Sequence, residues 1–322
     1  MGHNHVIHHF LNALAKPLLF GCLCLLLPIF FIFKFLYTFY LHHCNKTMEG
    51  KVVIVTGASS GIGEQLSYED AKKRARLQIV ARREESLQQV EKTARGLGSP
   101  DVVPICADVS NVNDCKRFVD ATIKHFGRLD DLVNNAGISS VCSVEDTTDI
   151  SKFVPLMDIN FWCCVYPTYF SIPYLKKTRG KIIVNSSVSA ILNPPTLAIY
   201  SASKAALLSF YEALRVELAP AIKITIATLG IVETEMTQGK HLSKEEIIKL
   251  PVMSSQVCAK AVLDAVERRE RNVTEPKWYK AFVLLKGLCP EVTDWCYRTF
   301  YFKPFSSEKM NAPISLSQDK AS

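Results

Sequence analysis

The chain has 322 residues, enough for one large domain or two small ones, and 48% of them are hydrophobic, enough to bury a sizeable core. A formal net charge of +7 without any long basic run argues against a nucleic-acid partner and leaves weak attraction to anionic lipid or nucleotide phosphates. The 11 cysteines are odd in number, scattered and without a C-x-x-C pair. They exclude a disulfide framework and a zinc site, read as buried free thiols of a reducing compartment, and leave no metal to expect.

The apolar excess is concentrated at the N-terminus. Residues 10–41 are mostly aliphatic and aromatic, and the 17 residues from Pro17 to Phe33 carry no charge between Lys16 and Lys34. That length is at the short edge for a spanning helix. The bulky residues from Tyr37 to Cys44 offer no small-residue cleavage site, which argues against a secretory signal. Two readings stay open for residues 1–46 as a lipid anchor: a single span, or a hairpin that enters and leaves one leaflet. Pro28 removes one helical hydrogen bond and favours the bend.

The globular part then alternates. Short β-branched runs predict strands over 52–55, 77–81, 102–107, 129–133, 181–185 and 222–229. Polar or amphipathic stretches predict helices over 61–74, 84–96, 112–126, 149–174 and 200–217. This order predicts an α/β fold, a single doubly wound parallel-sheet Rossmann domain over 47–275. An amphipathic extension over 276–305 and a disordered polar tail over 306–322 are expected to follow.

Two constellations carry chemistry. Gly57, Gly61 and Gly63 follow the first strand and open a helix, where glycines allow a tight turn and close approach of phosphate to backbone amides. The second strand ends in Ala81-Arg82-Arg83, without the acidic residue that holds a ribose hydroxyl in an NAD site. Arg82 in that place is expected to bind a 2′-phosphate, which argues for NADP(H); the alternative is that both arginines merely start a solvated helix. The second constellation is Tyr200-Ser-Ala-Ser-Lys204, with Ser187 thirteen residues before the tyrosine. On a helix, residues four apart share a face, and an ammonium beside a phenol favours the phenolate. Tyr200 thereby becomes a usable proton donor and acceptor.

Together, Thr56-Gly-Ala-Ser-Ser-Gly-Ile-Gly63, Asp108, Asn134-Asn-Ala-Gly137, Asn160, Ser187, Tyr200 and Lys204 resemble, in order and spacing, the short-chain dehydrogenase/reductase pattern over about residues 50–275. The resemblance implies a domain, usually dimeric or tetrameric, that moves a hydride between nicotinamide and an alcohol or ketone; a homodimer is expected. It makes Tyr200 the proton carrier, Lys204 the partner of that phenol and of the nicotinamide ribose, and Ser187 the substrate-binding group that polarises the substrate oxygen. Asn160 would anchor a relay water. The cofactor would lie on Gly57, Ser59, Ser60, Gly61, Ile62 and Gly63, with Arg82 at its phosphate. Asp108 and Val109 would lie at the adenine, and Asn134, Ala136 and Gly137 would flank it. Gly50-Lys-Val-Val, His125-Phe-Gly-Arg-Leu-Asp130, Asn160-Phe-Trp and Val273-Thr-Glu-Pro276, behind a proline-bearing apolar segment, are similar to the plant steroleosins. These are sterol dehydrogenases of seed oil bodies, held in the lipid surface by a proline knob. That likeness implies a lipid droplet or endoplasmic-reticulum membrane location, a catalytic domain facing the cytosol, and Pro17 and Pro28 as knob candidates.

Departures are visible. Leu229-Gly230 stands where the family usually has Pro-Gly. No glycine ends the helix after the phosphate turn, so a residue near Arg74 is expected at positive φ, at roughly 1 kcal/mol. Asp70 falls where an apolar packing residue is expected. The stretch after Gly239 is short, so the substrate-covering loop is expected to be reduced. Ser186 reads as a strand-end serine of no chemical role. Met157, Phe161, Trp162 and Tyr166 read as core or dimer-helix packing rather than a sterol pocket. Residues 281–302 cover the pocket mouth, touch membrane, or meet a neighbouring subunit. Competing readings of the whole chain are a lipid-droplet coat protein with weak catalysis and a reductase of another lipid carbonyl.

Overall fold

A computed structural model describes residues 2–43, 48–238 and 251–301. The expected polar tail and the loop after Gly239 lie outside the described residues. The chain divides into two compact units, residues 1–47 and 48–322.

The first unit is one helix, α1 (Gly2–His43), with Pro17 and Pro28 inside it. The bend favoured for Pro28 does not become a hairpin: the helix runs through both prolines. Its candidate span, Ala13–Leu36, is 24 residues long, with a mean hydropathy of 2.5 over an 18-residue window, and it takes in Lys16 and Lys34, which bracket the uncharged run. At 1.5 Å per residue that span is about 36 Å, enough for a hydrocarbon core of about 30 Å.

In the second unit the alternation becomes β1 (Val52–Thr56), α2 (Gly61–Lys72), β2 (Arg76–Ala81), α3 (Glu84–Gly96), β3 (Val102–Cys106), α4 (Val112–Phe126) and β4 (Asp131–Asn134). The stretch expected as one helix over 149–174 is built in pieces: a 3₁₀ turn (Ile150–Phe153), α5 (Val154–Met157), a π turn (Asp158–Trp162) and α6 (Cys163–Thr178). Then come β5 (Lys181–Ser187), α7 (Ser189–Leu192), α8 (Ala198–Leu218), β6 (Lys223–Leu229), β7 (Val232–Glu233), α9 (Glu235–Gln238), β8 (Met253–Ser254), α10 (Ser255–Glu267), β9 (Asn272–Glu275), α11 (Tyr279–Leu288) and α12 (Pro290–Cys296).

Among the described residues the main sheet is parallel and seven-stranded, in the order β3-β2-β1-β4-β5-β6-β9. Strand β9 was not expected: Asn-Val-Thr-Glu offers one apolar residue, too little for a periodicity signal, and only pairing with β6 makes it a strand. Alternate strand residues feed two cores. Val53 and Val55 face Leu66, Leu87 and Val262, whereas Val52 and Ile54 face Phe118, Leu175 and Tyr211. Both faces are therefore covered by helices, as a parallel sheet requires.

Helix α4 starts where the Asn111 side chain accepts from the Asn113 and Asp114 amides and stops at Gly127, whose φ is 74°. Helix α2 stops two residues before Arg74, which takes the expected positive φ, 61°. The cysteines do not all follow expectation. Cys115, Cys163, Cys164 and Cys258 are buried free thiols, but Cys22, Cys24, Cys106 and Cys289 are exposed.

Candidate active site

The sheet order reverses between β1 and β4, where a doubly wound sheet opens a crevice at the carboxyl ends of its strands. The turn after β1 lies there. Gly57 and Gly61 have φ of 65° and 59°. A Cβ on Gly57 would lie 2.8 Å from Ala136 Cα, and one on Gly63 would lie 2.3 Å from the Gly57 carbonyl oxygen, so both positions demand glycine. Ser60 occupies the N-cap of α2, yet its hydroxyl caps no amide there. It accepts from Arg83 Nη2 at 2.8 Å instead, with the Ser59 hydroxyl at 3.3 Å from the same nitrogen. Arg82, the arginine expected at this turn, is exposed; the guanidinium on the turn is that of Arg83. Ile62 packs partly buried against the core.

Asp108 turns its carboxylate to the Ser110 amide and hydroxyl, at 2.9 and 2.7 Å, and Val109 is buried. Asn134 is buried and donates to the Thr168 and Tyr211 hydroxyls, both at 2.9 Å, so it ties β4 to α6 and α8. The residue that grips the phosphate turn is its neighbour Asn135, which sequence reasoning did not single out. Its Nδ2 donates to the carbonyls of Thr56 (3.1 Å) and Gly57 (3.2 Å), and its Oδ1 accepts from Asn185 at 2.7 Å. The doubled asparagine before Ala136 was the available signal.

The second constellation converges beside this clamp. Lys204 is buried, and its Nζ donates to the Asn185 carbonyl at 3.2 Å and lies 6.0 Å from the centroid of the half-buried Tyr200 ring. A Cβ added to Gly137 would lie 3.3 Å from that Nζ and 3.2 Å from Asn160 Oδ1, so backbone, ammonium and amide meet at one point. The π turn carries Asn160 inward, where it accepts from the Ile138 amide (2.8 Å) and donates to the Ile138 carbonyl and the Ser203 hydroxyl (both 3.0 Å). Ser187 ends β5 and accepts from the Ser189 amide and hydroxyl at 3.2 and 2.9 Å. Ser186, assigned no chemical role, donates to the Lys204 carbonyl at 3.2 Å and helps seat that lysine.

The far wall comes from the C-terminal arm. Gly230 donates to the Glu275 carbonyl at 2.8 Å, and a Cβ there would lie 2.1 Å from the Tyr279 ring. Tyr279 packs on Val188 and Leu192, and Lys286 donates to the carbonyls of Ile191 and Leu192 at 2.7 and 3.1 Å, so α11 braces α7 next to Ser187. Phe161 and Tyr166 pack against the core and Trp162 stacks on Tyr166, so these aromatics are packing residues. The glycine-only turn and the side-chain-free approach at Gly137 together fit a dinucleotide cofactor.

Comparison with known proteins agrees. The family model for short chain dehydrogenases matches residues 51–245. An 11-beta-hydroxysteroid dehydrogenase A from Arachis hypogaea is 48% identical over 308 residues, covering 92% of this chain and 88% of the relative. A short chain dehydrogenase from Burkholderia cenocepacia in complex with NADP superposes with a TM-score of 0.67 at 26% identity, covering 79% of this chain and 99% of that one. A Burkholderia phymatum short chain dehydrogenase/reductase in complex with NAD gives 0.69 at 21%, covering 81% and 100%.

Proposed function

The chain belongs to the short-chain dehydrogenase family, and on that premise we propose that it interconverts a hydroxyl and a ketone on a steroid- or sterol-like lipid with NADP(H). One observation carries the reading: the buried Lys204 ammonium beside the Tyr200 ring, at the edge of the sheet where β5 ends in Ser187. The bound nicotinamide would supply or accept the hydride. Tyr200 gives or takes the alcohol proton, Ser187 holds the substrate oxygen, and Lys204 puts positive charge beside the phenol and holds the nicotinamide ribose. Asn160 stations the proton relay to Lys204 and fastens Ser203 next to it. The steroid class rests on the name of the Arachis relative. The preference for NADP rests on arginines, rather than an acid, at the end of β2.

In this reading α1 holds the enzyme in an endoplasmic-reticulum membrane or the surface of a lipid droplet, with the catalytic unit toward the cytosol. Its large apolar residues, such as Leu25 and Phe33, are exposed and need a lipid phase or a partner. We assign a homodimer across α6 and α8, where Tyr169 and Val216 are exposed. Turnover by the full-length protein over a panel of sterol alcohols, with NADP and with NAD, tests the proposal. At least one sterol is expected to be oxidised, with NADP favoured. Activity confined to retinal or fatty aldehydes would replace the substrate class.

A further inference from the structure

The Arg83 guanidinium has a third partner beyond Ser59 and Ser60. Its Nη2 pairs with Glu235 Oε2 at 2.9 Å. One nitrogen with two hydrogens thus serves three oxygens, at 2.8, 2.9 and 3.3 Å. Glu235 opens α9, on the stretch that leaves the sheet after β6, and this stretch crosses the phosphate turn. A Cβ on Gly61 would lie 3.1 Å from Thr234 Cγ2. The carboxylate therefore presents an anion to a cation and two hydroxyls gathered on the nucleotide turn, the donor set that suits a phosphate monoester. Both charged side chains reach water, at 37% and 63% exposure, so the pair is weak enough for a ligand to displace.

We propose that Arg83 is the residue that reads the 2′-phosphate of NADP(H), and that Glu235 is an internal competitor for it which the phosphate must displace. This rests on the NADP reading above. It makes the two cofactors differ at α9 as well as at the ribose: the phosphorylated one breaks the Arg83–Glu235 tie, and NAD leaves it in place. Glu235 then sets how strongly the enzyme discriminates between them, by lowering the affinity for one and not the other.

The test is calorimetric titration of the full-length protein with 2′,5′-ADP and with 5′-AMP. Glu235→Gln is expected to tighten 2′,5′-ADP about two- to fivefold, the size of an exposed ion pair, and to leave 5′-AMP unchanged. Arg83→Ala is expected to weaken 2′,5′-ADP about tenfold or more. Adding Glu235→Gln to Arg83→Ala is expected to do nothing further, because the carboxylate acts only through the guanidinium. An equal gain from Glu235→Gln with and without Arg83 overturns the competition. A 2′-phosphate preference that is lost in Arg82→Ala and kept in Arg83→Ala overturns the assignment to Arg83 while sparing the NADP reading. A wild-type protein that binds the two nucleotides equally overturns the NADP reading itself.

Discussion

Burial pushes the Asp70 carboxyl up to about 7, and the neighbouring Asp131 adds to the shift, while Lys73 and Lys181 only partly offset it. The two carboxyls, Lys181 and Glu267 line a cavity of ≈ 10 Å³ on the underside of the sheet. The consequence for stability has a definite sign. An acid whose pKa is raised by folding costs nothing below its unfolded value, about 4, and costs progressively more as pH rises to about 7. The full cost above that is on the order of 4 kcal/mol. Asp70→Asn is therefore expected to stabilise the protein at pH 8, with little change at pH 4, as read by urea unfolding at both values. A wild-type unfolding midpoint that does not fall between pH 4 and 7 would contradict this. At the other edge of the sheet, Tyr200→Phe keeps the ring and deletes the hydroxyl proposed to carry the proton. Turnover is expected to fall by about 10²–10⁴-fold, with nucleotide affinity nearly unchanged by calorimetry. Near-normal turnover would mean another group carries the proton.

Among the elements, α11 shows how a departure from a family pattern is accommodated. Leu229-Gly230 lacks the usual proline, but the glycine is held by a different constraint: the Tyr279 ring lies where any side chain would go. Gly230→Ala is expected to displace Tyr279 from Val188 and Leu192, destabilising the protein by about 1–3 kcal/mol. Thermal unfolding should fall by about 2–4 °C per kcal/mol. Turnover should drop with it, because α11 braces the short helix beside Ser187. An unchanged melting temperature would show that the ring has room to move. The outer surface of α11 exposes Phe282, Leu284 and Leu288, which leaves it apolar on more than its packed face.

For the whole molecule, the division at residue 47 and the separate cores of the second unit predict independent behaviour. Deleting residues 1–46 is expected to leave a folded protein that still binds nucleotide and no longer floats with lipid. The exposed apolar residues of α1 would supply the lost affinity, at about 0.8 kcal/mol per buried CH₂. Flotation with lipid droplets or microsomes, before and after deletion, measures it. A truncated protein that still floats would move the anchor to α11 and α12.

Read alone, the order of residues determined the fold class, the apolar N-terminal segment and the candidate site residues that come in local patterns. Strand-to-helix alternation, a glycine-only turn and Tyr200 four residues before Lys204 are short-range facts, governed by backbone sterics and helical period. It also marked Arg74 and Asp70 as misfits, and both are misfits in space. What it could not supply depends on groups far apart in the chain. Strand β9 exists only because β6 offers it hydrogen bonds. Asn135, not Asn134, grips the phosphate turn, because of how β4 meets β1. Arg83 rather than Arg82 reaches that turn, and Glu235 meets it from a segment about 150 residues later. Which of two adjacent side chains points into a site is set by the packing around the backbone, and packing is a property of the tertiary structure.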